Sequence, residues 1–385
     1  MKHRESEPEL EDILRLHRGG KTRMVSRIQL ETVEQLRRIY TPGVAEVSRI
    51  IEQNPDRLFD LTSVGDTVAV LTNGTAVLGL GDVGVRAAMP VMEGKSVILM
   101  EMVDIASVPL LVDRHDPERI IDVAEAVAPT FGAILLEDIA APACFQVEDA
   151  LKERLDIPVF HDDQHGTAVV VLAALISALR ISDKRADQLQ VVINGAGAAG
   201  SAVARFLLDY GVRDVVLCDS AGAIYRGRTE NMNPAKERIA EETNRHNQRG
   251  SLEQAMEDKD LFVGLSVGGL VSRQMVRSMA RDPIVFAMAN PVPEIWPEEA
   301  LAAGAVAAED GRHINNALGF PGIFRGTLNA RAREINEEMK IAAADALAEQ
   351  APSGELVPDF MDRRVHAAVA DAVADAARET GVARD

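Results

Sequence analysis

The chain of 385 residues contains few cysteines, few aromatic side chains and no clustered positive charge. Its two cysteines, Cys144 and Cys218, stand in apolar surroundings, which excludes a disulfide framework and predicts buried, reduced thiols. The formal net charge is −19, and no dense run of lysine or arginine occurs, which argues against nucleic acid as a partner.

Long apolar runs are also missing. No stretch approaches the roughly 18 uninterrupted apolar residues that a membrane helix needs. The first residues, 1–8, lack the apolar core of a secretory signal. We therefore expect a cytoplasmic protein without a membrane partner. Its length, together with an apolar fraction of 47%, predicts two domains rather than one.

Two predicted strands end in pairs of acids. A short apolar strand, Ile157 to Phe160, is followed by Asp162 and Asp163, and an upstream apolar run ends in Glu137 and Asp138. If the strands are parallel, their carboxyl ends open into one crevice. Carboxylates so close together repel each other unless a cation or a shared proton is present. Such pairs are often helix caps or solvated loop residues, but two of them on successive strands favour a Mg²⁺ or Mn²⁺ site.

A dinucleotide-binding pattern follows in the second half of the chain. The strand that begins at Leu189 leads into a glycine turn and an alanine-rich helix, and Val215 opens the next strand. The turn consists of Gly195, Gly197, Ala198, Ala199 and Gly200. Its glycines allow a tight turn, a close approach to a pyrophosphate and close packing of helix and strand. Asp219, at the end of the next strand, is expected to accept the ribose hydroxyls and to favour NAD over NADP, although Arg226 or Arg228 could reverse this preference.

Local patterns predict the remaining elements. Asn73 and Gly74 are typical of a hairpin turn between two strands, and the apolar run 96–102 is interpreted as another strand. The run Gly79–Gly84 also fits the dinucleotide pattern, but it follows the predicted hairpin, so we interpret it as a turn on the substrate side. The chain end is predicted to form helices over 328–350 and 364–378.

Several motifs together resemble the malic enzyme family in its short bacterial and archaeal form. They are Tyr40-Thr-Pro-Gly-Val-Ala, Asn73-Gly-Thr-Ala-Val-Leu-Gly-Leu-Gly-Asp, Pro90-Val-Met-Glu-Gly-Lys, Leu136-Glu-Asp-Ile, Phe160-His-Asp-Asp-Gln-His-Gly-Thr, Asn290-Pro-Val-Pro-Glu and Leu318-Gly-Phe-Pro-Gly-Ile-Phe-Arg-Gly. The resemblance implies an α/β fold with a substrate and metal domain over 1–165 and a doubly wound Rossmann domain over 166–318. A helical extension, 319–385, would pack back on the first domain.

The resemblance also implies residue roles. Glu137, Asp138 and Asp163 would be metal ligands, and Tyr40 and Lys95 would form an acid–base pair that Asp162 assists. Either Lys95, with a lowered pKa, or Asp162 would be the base. Asn290 and Asn316 would bind the substrate carboxylates, with Asn290 also near the cofactor. His161 and His165 are expected to orient other groups or to pack. We expect a homodimer in which the Tyr40–Lys95 pair forms across the interface.

The activity that the resemblance implies is oxidative decarboxylation of (S)-malate to pyruvate and CO₂. NAD or NADP would be reduced, and Mg²⁺ or Mn²⁺ would be required. Malolactic conversion of malate to lactate is a close alternative. An amino-acid dehydrogenase would also pair a substrate domain with a Rossmann domain, but it needs no metal. A nucleotide-sensing relative without catalysis is a third alternative, which the presence of all the acid–base and acidic residues disfavours.

Overall fold

Two sheets of mostly parallel strands, joined by a long buried helix, organise the chain in a computed structural model that describes residues 10–77 and 79–384. The first sheet has the order β2-β1-β3-β4, and all its neighbours are parallel. Its elements, with those that precede it, are α1 (Leu10–His17), α2 (Val33–Ile39), α3 (Val44–Gln53), α4 (Leu58–Leu61), β1 (Thr67–Thr72), α5 (Met89–Val103), β2 (Ala106–Leu111), α6 (Pro117–Val127), β3 (Ala133–Leu136), α7 (Ala143–Arg154) and β4 (Val159–His161). Strand β4 runs into a single π-helical turn, Asp162–Gly166, and then into α8 (Thr167–Ser182).

The second sheet has the order β10-β9-β8-β5-β6-β7, in which only β7 is antiparallel. Its elements are β5 (Gln190–Asn194), α9 (Ala198–Asp209), β6 (Asp214–Asp219), β7 (Gly222–Ala223), α10 (Pro234–Glu242), α11 (Leu252–Met256), β8 (Leu261–Gly264), α12 (Arg273–Arg277), β9 (Ile284–Ala287), α13 (Pro297–Ala303) and β10 (Ala307–Asp310). The strand order reverses between β5 and β8, which is the point where doubly wound sheets bind ligands.

Three helices close the fold: α14 (Phe320–Asn329), α15 (Glu337–Gln350) and α16 (Arg363–Glu379). Helices α14 and α16 pack against α5 of the first sheet, and α15 packs against α8. One continuous apolar core includes Val70, Leu172, Val191 and Phe324, so it runs from the first sheet through α8 to the second sheet and these helices. The α/β fold class expected from the sequence is confirmed.

Several local predictions were wrong. Asn73 and Gly74 do not join a hairpin, because β1 pairs in parallel with β2 and β3. The run 96–102 is not a strand but part of α5, in which Pro90 occupies the first turn, where a missing N–H has no cost. The predicted helix over 328–350 is two helices, α14 and α15. Strands β2 and β10 were not predicted.

One stretch within the described residues, Asp162–Ser182, is long and apolar enough to cross a membrane. Two thirds (67%) of its apolar window is buried inside the fold, as in a core helix of a water-soluble domain. The stretch contains polar residues such as Gln164 and Ser177, so it did not count as an uninterrupted apolar run.

Candidate active site

The two acidic strand ends meet at one edge of the first sheet. Strands β3 and β4 are parallel neighbours, with Leu136 opposite His161. The next residues along each strand, Glu137 and Asp162, therefore leave the sheet at the same level. Both are buried, and the backbone N–H of Asp138 donates a 3.0 Å hydrogen bond to Oδ2 of Asp163. The convergence that the sequence predicted is present.

Glu137, Asp138 and Asp163 form a site that fits a divalent cation. One carboxylate oxygen from each lies within 4.8 Å of the others. Oε2 of Glu137 and Oδ2 of Asp138 are buried without a hydrogen-bond partner among the described residues. Burial and the neighbouring Asp163 carboxylate raise the pKa of Asp138 to about 7. Buried, unpaired and mutually repelling oxygens are stabilised when a hard cation binds between them.

Lys95 approaches this site from α5. Its Nζ lies 3.1 Å from Oε1 of Glu137 and donates a hydrogen bond to Oδ2 of Asp162. Burial alone would lower the pKa of Lys95, but the carboxylates of Asp162 and Glu137 outweigh burial and raise it. The described side chains that shift this pKa are carboxylates rather than cations, so the lowering expected beside a metal ion stays a prediction.

The segment that enters α14 forms the opposite wall. Asn316 donates a 2.6 Å hydrogen bond from Nδ2 to Oδ2 of Asp162, and the ring of Phe320 lies 4.6 Å from Nζ of Lys95. Gly166 leaves room for Asp162, since a Cβ at this position would lie 2.0 Å from Oδ1 of that residue. Sequence reasoning missed the roles of Phe320 and Gly166, although both belong to the motifs that were recognised.

The backbone of Asp138 is held by the loop that follows β1. Its φ of 53° lies in the left-handed region, which aspartate tolerates better than most residues. Its carbonyl accepts hydrogen bonds from the N–H groups of Thr75 and Ala76, at 3.1 and 3.0 Å. The Asn73–Gly74 motif thus turns the chain toward the acidic site instead of forming a hairpin.

The two histidines differ in their surroundings. His161 is fully buried, and neither ring nitrogen has a hydrogen-bond partner among the described residues; Nε2 lies 3.9 Å from Oδ2 of Asp163. Nε2 of His165 lies 2.8 Å from Oε1 of Glu148, a buried carboxylate on α7 that the sequence analysis did not single out. No local sequence signal marks Glu148, because it is one acid in an ordinary helix.

The glycine turn after β5 fits a dinucleotide. Gly195 has a φ of +124°, and a Cβ on Gly200 would lie 1.7 Å from the carbonyl oxygen of Gly195. A Cβ on Gly197, in contrast, would meet nothing within 4 Å, so the space beside Gly197 in the glycine turn is open. Helix α9 begins at Ala198 without a side-chain cap, so the first N–H groups, including that of Ala199, are available for a phosphate.

Asp219 ends β6, as expected, but its carboxylate has cationic neighbours. Arg228 Nη2 and Lys236 Nζ each lie 2.6 Å from it, and Asn231 Nδ2 lies at 3.0 Å. Burial would raise the pKa of Asp219, but the hydrogen bonds from Lys236 and Arg228 lower it. Arg226 instead lies against Glu241.

Two predicted residues are not joined to this centre by hydrogen bonds among the described residues. Asn290 follows β9, and its Nδ2 lies 3.3 Å from the carbonyl oxygen of Met288. Tyr40 ends α2 with 65% of its surface exposed, and no hydrogen bond links it to Lys95 in the described chain. The turn Gly79–Gly84 lies beside Asn290, since a Cβ on Gly79 would lie 3.2 Å from the Asn290 carbonyl oxygen.

The fold and the two sites define an α/β oxidoreductase with a Rossmann domain and an acidic, lysine-containing centre. Comparison with known families identifies it further. The model of the malic enzyme N-terminal domain matches residues 19–152, and that of the malic enzyme NAD-binding domain matches 164–314 and 308–378. The chain belongs to the malic enzyme family, and not to the amino-acid dehydrogenases considered above.

Individual relatives of this chain support the same family assignment. The chain is 49% identical over 386 residues to a bifunctional malic/malolactic enzyme of Bacillus subtilis, covering 97% of this chain and 94% of the relative. It is 50% identical to an NAD-dependent malic enzyme of Geobacillus stearothermophilus, covering 96% and 79%. The crystal structure of a malic enzyme from Pyrococcus horikoshii superposes with a TM-score of 0.94 at 40% identity, covering 97% of this chain and 92% of that one. Other relatives are named NADP-dependent malic enzymes. One of them, from Escherichia coli, is 40% identical, and the match covers 51% of its length.

Proposed function

We propose that this protein catalyses the oxidative decarboxylation of (S)-malate to pyruvate and CO₂, with a divalent metal ion and NAD. The observation that carries the proposal is the buried contact of Lys95 with Glu137 and Asp162. Beside it, Oε2 of Glu137 and Oδ2 of Asp138 have no hydrogen-bond partner among the described residues. This arrangement combines a proton-transfer pair with a cation site in one crevice. Family membership supports the same reaction.

Glu137, Asp138 and Asp163 would hold the metal ion, and the turn Gly195–Gly200 would hold the dinucleotide. When bound, these groups supply a Lewis acid for charge on the substrate oxygen and a hydride acceptor for C2. Mg²⁺ and Mn²⁺ both suit an all-carboxylate site.

The remaining chemistry belongs to the side chains. The hydrogen bond between Lys95 and Asp162 lets one proton reside on Nζ or on Oδ2, so the pair can accept the proton of the C2 hydroxyl. Asn316 Nδ2 fixes the carboxylate of Asp162 and can turn its other donor to a substrate carboxylate. Asn290 would bind the substrate from the Rossmann side, close to the nicotinamide. Tyr40 would return a proton to C3 after CO₂ has left.

The preference for NAD over NADP rests on Asp219. A carboxylate at the end of the second Rossmann strand accepts the ribose hydroxyls and repels a 2′-phosphate. Lys236 and Arg228 weaken that repulsion by neutralising the carboxylate, so NADP is the alternative cofactor. Relatives of both kinds are named, which is consistent with a preference determined by few residues.

A second activity, malolactic conversion of malate to lactate, has one specific observation in its favour. The Bacillus subtilis relative at 49% identity is named a bifunctional malic/malolactic enzyme. Both activities use the same substrate and the same acidic centre. They differ in whether the reduced cofactor leaves or is reoxidised on the protein.

We also infer a homodimer in which a second copy of the chain brings Tyr40 to Lys95. Helices α1, α2 and α3 contain no buried residue, and many of their apolar side chains are exposed. Those on and between these helices are Leu10, Ile13, Leu14, Leu16, Met24, Val25, Ile28, Leu30, Val33, Leu36, Ile39, Val44 and Ile50. Short helices of this kind are unstable in water without an apolar face to pack against, and a second copy would supply it.

The division into residues 1–165, 166–318 and 319–385 remains our proposal for the domain boundaries. The free, buried thiols of Cys144 and Cys218 support a reducing, cytoplasmic location.

One assay tests the function. Purified protein would be given malate and Mn²⁺ with either NAD or NADP, and reduced nicotinamide, pyruvate and lactate would be followed in parallel, with and without a chelator. We expect chelator-sensitive reduction matched by pyruvate, and a higher kcat/KM with NAD. Lactate without net cofactor reduction would replace the proposal with malolactic activity. No product in either form would refute both.

A further inference from the structure

The strongest unassigned group near the site is the carboxylate of Glu148 on α7. It is 3% exposed and accepts four hydrogen bonds or ion pairs. Three come from the end of β4 and the turn that follows it: the His161 N–H at 3.3 Å, Gln164 Nε2 at 2.9 Å and His165 Nε2 at 2.8 Å. The fourth comes from Lys152 Nζ at 2.8 Å. Three of these partners contact Oε1 and one contacts Oε2, so both oxygens of Glu148 have a partner.

The segment that Glu148 holds is the one that carries Asp162 and Asp163. It forms a single π-helical turn, a wide and rare backbone form that occurs frequently at functional sites. Glu148 accepts a hydrogen bond from the backbone of the residue just before this turn and contacts two side chains within it. Asp162 and Asp163 lie between these anchor points, with Asp162 toward Lys95 and Asp163 toward the N–H of Asp138.

His165 connects the same carboxylate to the C-terminal helices. Its Nδ1 lies 3.3 Å from Nζ of Lys340, which is 2% exposed on α15 and also contacts Glu337. A carboxylate only accepts and an ammonium only donates, so the His165 ring carries its proton on Nε2. The chain Lys340–His165–Glu148 therefore connects α15 and α7 to the two ring nitrogens of one residue in the π-helical turn.

We propose that Glu148 is a positioning residue for the metal and acid–base centre. It acts through His161 N–H, Gln164 and His165 to hold the turn in which Asp163 faces the cation site and Asp162 faces Lys95. Glu148 is not one of the three carboxylates grouped at the cation site, and among the described residues its printed partners are His161, Gln164, His165 and Lys152. The kinetic part of this inference rests on the proposed function, whereas its effect on metal binding does not.

Glu148→Gln is the main test, because glutamine keeps the shape but has only one acceptor oxygen for four donors. We expect its affinity for Mn²⁺, measured by titration followed with electron paramagnetic resonance, to fall about 10- to 100-fold. We also expect kcat with malate to stay at least about tenfold reduced at saturating Mn²⁺, because Asp162 is displaced as well as Asp163. Glu153→Gln, on the exposed face of the same helix, is the matched control and should behave as the unaltered protein.

A second comparison tests the path through His165. If Glu148 acts through this ring, Glu148→Gln and His165→Gln combined should lose little more Mn²⁺ affinity than either change alone. If the losses of Mn²⁺ affinity are additive instead, Glu148 does not act through His165. A Glu148→Gln protein that melts at a lower temperature, yet binds Mn²⁺ within about twofold of the unaltered affinity and keeps its kcat, would show that Glu148 supports only the fold, and would overturn the proposal. Weaker Mn²⁺ binding in a chain without malate turnover would leave it standing and refute only the proposed reaction.

Discussion

Lys95 and Asp162 form a buried ion pair, although 67 residues separate them in the chain. The exposed fraction of the side chains is only 10% for Lys95 and zero for Asp162. One comes from the helix α5, which packs beside the first sheet, and the other from the π-helical turn after β4. The pair therefore exists only when the helix and the strand end are packed together.

Replacement of Lys95 by alanine should slow proton transfer while leaving the cation site intact. We expect kcat to fall about 10²- to 10⁴-fold, the usual contribution of a positioned acid or base. Mn²⁺ affinity should not fall, because the competing positive charge beside Glu137 is removed. Lys184→Ala, which removes a lysine paired with Asp260, is the control. A variant that loses Mn²⁺ binding and activity together would contradict the assigned role.

Metal binding should depend on pH through Asp138. Because its pKa is raised to about 7, this carboxyl is largely protonated below neutrality, and a cation must displace the proton. Mn²⁺ affinity should therefore fall as the pH drops, roughly tenfold for each unit well below pH 7. Calorimetric titrations at pH 6, 7 and 8 in two buffers of different ionisation enthalpy would give both the affinity and the proton release. An affinity that does not change over this range would exclude the mechanism.

Gly166→Ala should displace the Asp162 carboxylate through a steric clash. A Cβ would lie 2.0 Å from Oδ1 of Asp162, so the carboxylate must move away from Lys95. A displacement of about 1 Å in a catalytic group can cost about 100-fold in rate, and we expect kcat/KM to fall by that order. Gly94→Ala is the matched control, because the nearest atom to its Cβ, Lys21 Nζ, lies 3.9 Å away. Equal activity of the two variants would show that Asp162 tolerates displacement.

Asp219→Ala should shift the cofactor preference toward NADP. The change removes the carboxylate that repels a 2′-phosphate and frees Arg228 and Lys236 to bind it. We expect the ratio of kcat/KM for NADP to that for NAD to rise about tenfold or more, equivalent to about 1.4 kcal/mol. Asp209→Ala, at the far end of α9, is the control. An unchanged ratio would mean that Asp219 does not determine the preference.

Mixing two inactive variants tests whether Tyr40 acts across a dimer interface. In a heterodimer of Tyr40→Phe and Lys95→Ala, a site shared between subunits would combine one intact Tyr40 with one intact Lys95. Random reassociation should then restore about a quarter of the unaltered activity, since half of the dimers are mixed and each has one intact site. If both residues act within one chain, every site carries a defect and the mixture stays inactive.

The cofactor and metal motifs were readable in the sequence because each consists of neighbouring residues. Gly195, Gly197 and Gly200 meet backbone requirements within one turn, and the acids at 137–138 and 162–163 follow apolar strands directly. Local chemistry of this kind does not depend on the rest of the fold. The same reading failed for 96–102, because a buried helix and a buried strand are both apolar runs and periodicity cannot separate them.

Tertiary structure alone decided the relationships between distant segments. The sequence contains an Asn73–Gly74 turn signal, but the packing of β1 between β2 and β3 turned it into a loop that binds the Asp138 carbonyl. No sequence feature distinguishes Glu148 from other helical acids, and its importance arises from the side chains that α7 and β4 bring around it. The sequence by itself thus determined which groups are candidates for the chemistry, since these lie in short motifs. Only the folded chain decided how they are held, because that depends on contacts between residues far apart in sequence.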